Sequence, residues 1–280
     1  LGNVVGSNIF NVLFILGISA LIVPLVVNVQ LIRQEVPIMI GVSLLLLALS
    51  LDGKLGLIDG ALLLALLVAY TVFLVVQSRS ETKAAQDEYA QENKPAEAGA
   101  WDAKLPAQIA LIVAGLVALV LGSEWLVSAS IAFAKAMGVS DLIIGLTIVA
   151  AGTSMPEVAT SITAAIKGER DIAVGNVVGS NTFNILGVLG VSAAVAPVEL
   201  PVPTSLATFD LPIMLAVAIA CLPVFFTGRT IARWEGGVFL GYYGAYAAYL
   251  ILDAQEHDLL TTYTLAMRWV VIPLTVLTLA

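Results

Sequence analysis

Histidine and cysteine are almost missing from this chain of 280 residues, which has one of each, His257 and Cys221. A single thiol excludes an internal disulfide, and in its apolar surroundings Cys221 reads as packing. A single histidine in a polar stretch excludes a histidine-built metal centre. It also leaves a membrane Ser–His hydrolase without its base, because no histidine lies in an apolar run. Charge is scarce as well, at 11% of residues, where a soluble domain carries about 25%. Strand-type alternation is absent, which excludes a membrane barrel. The net charge of −8 largely reflects acids in polar stretches, and nothing points to nucleic acid. Before the first apolar run there is neither a charged leader nor a cleavage site, so the start does not read as a signal peptide.

What is present is apolar. Hydrophobic residues make up 60% of the chain and mean hydropathy is +1.01. Runs near the ~20 residues that a spanning helix requires are Val4–Val27, Val36–Leu51, Leu57–Val76, Ala107–Met137, Leu142–Ile166, Ile172–Val198, Leu206–Phe226, Gly236–Leu252 and a last one within Leu259–Ala280. The expectation is an all-α polytopic membrane protein.

One of these runs holds Ala-Ala-Gly-Thr-Ser-Met-Pro-Glu, Ala150 to Glu157. An ionised side chain at the bilayer centre costs on the order of 2.5–3.5 kcal/mol, so an acid there marks function. Pro156 has no N–H to give and should loosen the helix, freeing carbonyls around Gly152. Thr153 and Ser154 precede Glu157 by four and three residues and share its helix face. A carboxylate, two hydroxyls and loosened carbonyls suit a hard cation such as calcium or sodium.

The chain also repeats itself. Residues Leu1–Pro24 and Val174–Pro197, at an offset of 173, share 15 of 24 residues. Glu35-Val36-Pro37-Ile38-Met39 answers Asp210-Leu211-Pro212-Ile213-Met214, and Asp59-Gly60 answers Glu235-Gly236. Alternate loops carry nine bases on one side (Arg33, Arg79, Lys83, Lys94, Lys104, Lys167, Arg170, Arg229, Arg233) against Lys54, Lys135 and Arg268 elsewhere. That bias puts the first set in the cytoplasm of a cell-membrane protein. Five segments separate the copies, an odd number, so the second is inverted; inverted repeats with broken helices are a secondary-transporter layout. The expected divisions are 1–76, the remainder of a first inverted repeat; 77–106, a polar cytoplasmic linker; 107–252, a second repeat; and 253–280, an extra C-terminal segment.

Each copy carries Gly-Asn-Val-Val-Gly-Ser-Asn-x-Phe-Asn, at Gly2–Asn11 and Gly175–Asn184. Ser7/Asn11 and Ser180/Asn184 are spaced i, i+4, so each pair offers two oxygens on one face. The glycines fit close helix packing. Packing does not explain three asparagines per copy at bilayer depth; some are expected to brace helices, the rest to face ions.

With Gly152–Glu157 followed by Gly175–Asn184, the chain resembles the second alpha-repeat of the sodium/calcium exchangers, in the cation/calcium antiporter superfamily. Gly2–Asn11 resembles the latter half of the first. The resemblance implies a ten-helix antiporter core around a calcium site flanked by sodium sites, with about nine helices in this chain, one of them an extra C-terminal helix. It implies Glu157 as principal calcium carboxylate, Thr153 as a calcium oxygen, Ser154, Ser180 and Ser7 at sodium, the Ala150 carbonyl at an outer sodium site, and Asn11 and Asn184 at the centre. Asn184, where some members carry Asp, leans toward potassium independence. By the 173 offset, the first copy's own Gly-Thr-Ser-x-Pro-Glu falls before Leu1. The expectation is roughly 70 further residues and two helices upstream on full repeat symmetry, and an inactive fragment without them.

The function expected is exchange of sodium for calcium by alternating access, with no cofactor and no catalysis. The alternatives are a cation/proton antiporter of the same superfamily and, more remotely, a membrane hydrolase with Ser154 as nucleophile or a non-transporting scaffold. Glu124, in another apolar run, reads as a structural hydrogen-bonding group ahead of a gating one. Glu35 and Asp210 read as helix-start acids. Trp234, Trp269, Tyr242, Tyr243 and Tyr246 read as interface anchors or core.

Overall fold

The computed structural model describes residues 1–80, 105–136 and 141–274. The described chain is nearly all helix: α1 (Gly2–Ile22), α2 (Leu31–Asp52), α3 (Leu57–Ser80), α4 (Leu105–Ala136), α5 (141–153), α6 (Met155–Lys167), α7 (Arg170–Val195), α8 (Leu206–Phe226), α9 (Arg233–Ala254) and α10 (Leu259–Leu274). Six of them, α1 to α4, α7 and α8, are long and apolar enough to cross a membrane. Their enclosure differs sharply. In the most apolar stretch of α1, 78% of residues are buried, and in α7 56%, whereas none is in α4. The two helices that carry the asparagine motif therefore form the centre, and α4 runs along the outside. Most of the linker expected at 77–106 lies outside the described residues.

Among the described residues, four two-residue strands tie the copies together. Strand β1 (Leu25–Val26) pairs antiparallel with β4 (Thr230–Ile231), and β2 (Lys54–Leu55) with β3 (Leu200–Pro201). β1 and β3 follow the equivalent helices α1 and α7, while β2 and β4 follow α2 and α8. The first strand type of each copy thus pairs with the second type of the other. Tracing the spans from β1 puts β4 on the same side and β2 and β3 on the opposite side. Two copies related in this way run in opposite directions, as the loop charges imply.

The repeat extends to helix irregularities. Wide π-helical turns occupy Asn11–Leu16 and Asn184–Leu189 in the central helices, and Leu31–Glu35 and Leu206–Asp210 at the starts of α2 and α8. Such turns insert one extra residue and commonly mark functional positions. They also correct a boundary: the second span begins at Leu31, not Val36. Arg33 is exposed, while Glu35 is buried within the helix, where it accepts a hydrogen bond from the Tyr70 hydroxyl on α3. Asp210 likewise takes the Tyr246 hydroxyl of α9 at 2.8 Å. Neither acid caps its helix. Each ties the second helix of its repeat to the third, because a buried carboxylate needs a donor. Asp59 and Glu235 do cap, accepting from the amides of Gly56 (2.8 Å) and Ala232 (2.7 Å).

Close crossings between the copies rest on glycine. A Cβ on Gly236 would meet the Gly17 carbonyl oxygen at 2.7 Å, and one on Gly60 would meet the Gly190 oxygen at 2.8 Å. Thus α9 crosses α1 and α3 crosses α7 through equivalent glycine pairs, the small-residue contact that lets membrane helices approach.

Candidate ion site

The site is built around the break between α5 and α6. Ser154 has φ −92° and ψ 6°, off the helix, two residues before the proline that cannot donate to the Gly152 carbonyl. That carbonyl accepts a hydrogen bond from Ser123 Oγ of α4 instead. Thr153 Oγ1 turns back onto the carbonyls of Val149 (2.9 Å) and Ala150 (3.2 Å). The break leaves Glu157 in the first turn of α6, where the amide dipoles favour negative charge.

One oxygen of this carboxylate, Oε2, is buried and has no hydrogen-bond partner. Glu157 lines a cavity of about 280 Å³ together with Gly175, Asn176, Gly179, Ser180, Phe183 and Asn184. The Ser180 hydroxyl faces the carboxyl. Asn176 donates to Ser161 Oγ at 3.0 Å and, at 3.4 Å, to the Glu157 carbonyl, so α7 holds α6 across the cavity.

A second group of oxygens lies one turn earlier on the same broken segment. Ser7 Oγ donates to the Ala150 carbonyl at 3.2 Å and stands 3.3 Å from Thr153 Oγ1. Thr153 Oγ1 is also 3.1 Å from Asn3 Oδ1. Between the two groups, where α1 and α7 meet, four asparagines interlock. The Asn8 and Asn181 side chains each donate to the other's backbone carbonyl at 3.2 Å. Asn11 donates to Asn181 Oδ1 at 2.9 Å and Asn184 to Asn8 Oδ1 at 3.0 Å. The amide oxygen of Asn11 is buried without a partner.

Of the expected residues, Glu157, Ser180 and Asn184 line one cavity, and Ser7, Ala150 and Thr153 form the adjoining group. Asn11 lies in the central network, and Ser154, 3% exposed, sits at the break. Residues that sequence reasoning did not assign include Ser123, which holds the freed carbonyl. The neighbouring Glu124 is exposed on α4; the hydrogen bond expected of this stretch comes from the residue before it. Among the described residues no cluster of three or more His, Cys, Asp or Glu occurs. The donor set is one carboxylate amid hydroxyl, amide and carbonyl oxygens. Such hard, mostly neutral donors fit group-one and group-two cations and not soft transition metals.

The comparisons with known proteins agree with that chemistry. The profile of the family described as "Sodium/calcium exchanger protein" matches residues 1–76 and 107–252. The chain is 37% identical to the inner membrane protein YrbG of Escherichia coli, over 78% of this chain and 66% of that protein. It is 40% identical to the sodium/calcium exchanger MaX1 of Methanosarcina acetivorans over 139 residues, half of this chain and 39% of MaX1. In three dimensions it resembles the sodium/calcium exchanger from Methanococcus jannaschii, with a TM-score of 0.65 and 27% identity, covering 89% of this chain and 74% of that one. Helix architecture, broken segment and oxygen-lined cavity thus converge with sequence similarity on one conclusion: the chain belongs to the sodium/calcium exchanger protein family, multi-pass membrane transporters and not enzymes.

Proposed function

We propose that the protein exchanges sodium for calcium by alternating access, with Glu157 as the charged ligand of the transported cation. The observation that carries this reading is the buried, unpartnered Oε2 of Glu157, a residue that shares a cavity with Ser180 and Asn184. A desolvated carboxylate is costly in a membrane until a cation or proton compensates it. An uncompensated site therefore resists crossing between outward- and inward-facing states. Calcium and sodium compete for the same oxygens, so loading by either one releases the barrier and the two fluxes are coupled. Ser180 and Asn184 supply neutral oxygens beside Glu157; Ser7, Thr153, Ser154 and the Ala150 carbonyl supply sodium and calcium ligands along the break; Asn11 completes the centre. Gating is assigned to α4, which lies outside the core and reaches the break through Ser123 and Val127.

The test is calcium-45 uptake into vesicles carrying the full-length protein, with and without a sodium gradient. Sodium-driven uptake that Glu157→Gln abolishes is the expected result. Undiminished uptake by that variant overturns the site assignment. Uptake that follows a pH gradient and ignores sodium replaces the reading with cation/proton exchange. Similarity to the sodium/calcium exchanger of Methanococcus jannaschii and to the sodium/calcium exchanger MaX1 favours sodium as the counter-ion.

A further inference from the structure

Donor and acceptor arithmetic fixes the orientation of all four central asparagines. Asn8 Nδ2 meets the backbone carbonyl of Asn181 at 3.2 Å and Met214 Sδ at 3.7 Å, two groups that can only accept. Both amide hydrogens of Asn8 are therefore occupied, and its Oδ1 is left as an acceptor. Asn181 Nδ2 is engaged in the same way by the Asn8 carbonyl at 3.2 Å and Met39 Sδ at 3.7 Å. Whatever meets those two amide oxygens must present an N–H. Asn184 presents its own to Asn8 Oδ1 at 3.0 Å, and Asn11 its own to Asn181 Oδ1 at 2.9 Å. The other two amide oxygens are thereby left out of these bonds: Asn184 lines the Glu157 cavity, and Asn11 Oδ1 is buried with no partner. Asn8, Asn11 and Asn181 are each at most 2% exposed, so water does not compete for these bonds.

We propose that Asn8 and Asn181 are positioning residues wired across the repeats: Asn8 of the first copy aims the amide oxygen of Asn184, and Asn181 of the second aims that of Asn11, at the transported cation. The inference rests on the proposed exchange function and deepens it. A ligand oxygen held by a partner from the opposite half cannot relax independently when one half moves, so each half reads the loading of the other. Outer hydrogen bonds of this kind orient ligands and tune affinity.

The experiment is a set of double-mutant cycles in the full-length protein, read as the apparent calcium affinity of sodium-gradient uptake and, separately, as thermal unfolding in detergent. Asn8→Ala is expected to weaken calcium affinity about tenfold. Added to Asn184→Ala it should cost less than about twofold more, whereas added to Asn11→Ala, which it reaches only through Asn181, it should keep most of its cost. For Asn181→Ala the order reverses, with the stronger coupling to Asn11 and the weaker to Asn184. Asn184→Asp separates positioning from mere bracing. A carboxylate has no N–H for Asn8 Oδ1, so Asn8→Ala should leave calcium affinity unchanged in that background, while a simple helix brace would cost the same as before. Equal costs of Asn8→Ala in every background, or coupling to Asn11 instead of Asn184, overturns the wiring. Wild-type protein that moves no calcium sinks the exchange reading instead. The wiring is then decided by thermal unfolding, where additivity of Asn8→Ala with Asn184→Ala overturns it.

Discussion

The two copies of the asparagine motif have nearly the same sequence and different surroundings. A Cβ on Gly6 of the first copy would lie 2.8 Å from Ala150 Cβ and 2.9 Å from the Leu146 carbonyl carbon, whereas one on its counterpart Gly179 would meet nothing within 4 Å. Ser7 is likewise bonded to the Ala150 carbonyl, while Ser180 opens onto the Glu157 cavity. The cause is the broken segment. Its first half, α5, lies on α1, and its second half, α6, lies on α7. One motif is therefore a packing surface for the break and the other a wall of the cavity that the break creates. An internal repeat sets which residues are available; the neighbour decides whether they pack or bind.

The sharpest way to break this comparison is to add one methyl to each copy. Gly6→Ala forces a clash with backbone and should destabilise by about 1–3 kcal/mol, the usual cost of overpacking, visible as a lower Tm in detergent. Gly179→Ala should leave Tm unchanged or slightly higher, since Ala is the better helix former, and should lower cation affinity by partly filling the cavity. Equal Tm losses in the two variants would remove the distinction. A related pair tests α4. The Gly152 Cβ would run into the Val127 side chain, so Gly152→Ala should slow uptake strongly, and Val127→Ala in the same protein should restore much of it.

A smaller difference separates the two acid–tyrosine ties. Asp210 and Tyr246 are 2% and 5% exposed, and Glu35 is 9% exposed against a half-buried Tyr70. Tyr246→Phe leaves a buried carboxylate without its donor and should cost about 1 kcal/mol or somewhat more, the upper range for hydrogen bonds between membrane helices. Tyr70→Phe should cost less, because its carboxylate partner keeps more access to the surroundings. Thermal unfolding of the two variants side by side checks the order.

Much of this was legible in the chain. The repeat showed because Gly6, Ser7 and Asn8, which meet the backbone of other helices, recur with Gly2 and Asn11 at one offset of 173. The break showed because proline leaves a mark in any helix, and the cavity acid because an apolar run makes it conspicuous. What stayed hidden has no compositional mark. Arg33 looks like a loop charge and Glu35 like a helix-start acid, yet a wide turn carries both into α2. Pairing between Asn8 and Asn184 joins residues 176 positions apart, and only the docking of the two copies reveals which asparagine meets which. Strands of two residues cannot show alternation at all.

Those strands supply the smallest expected effect. At one end Leu25 and Ile231 are paired and both fully buried; at the other, Lys54 reaches Glu199 at 2.7 Å with the two side chains 50% and 55% exposed. The Glu199 carboxylate, by hydrogen bond and then by charge, raises the Lys54 pKa above its ordinary value. A raised lysine pKa means that the pair contributes fully below the unfolded-state value, about 10.4, and that this contribution fades as pH rises through the higher folded-state value. Between pH 6 and 9 its stabilisation is therefore constant, and exposure to water and salt keeps it slight. Lys54→Met should leave Tm within error across that range, whereas Ile231→Ala, which empties a buried site, should lower Tm clearly, at a cost of about 2–5 kcal/mol of stability. The inverted pairing of the copies is then held by the apolar ribbon and the glycine crossings. If Lys54→Met proves as costly as Ile231→Ala, the ion pair, and not burial, fixes how the halves dock.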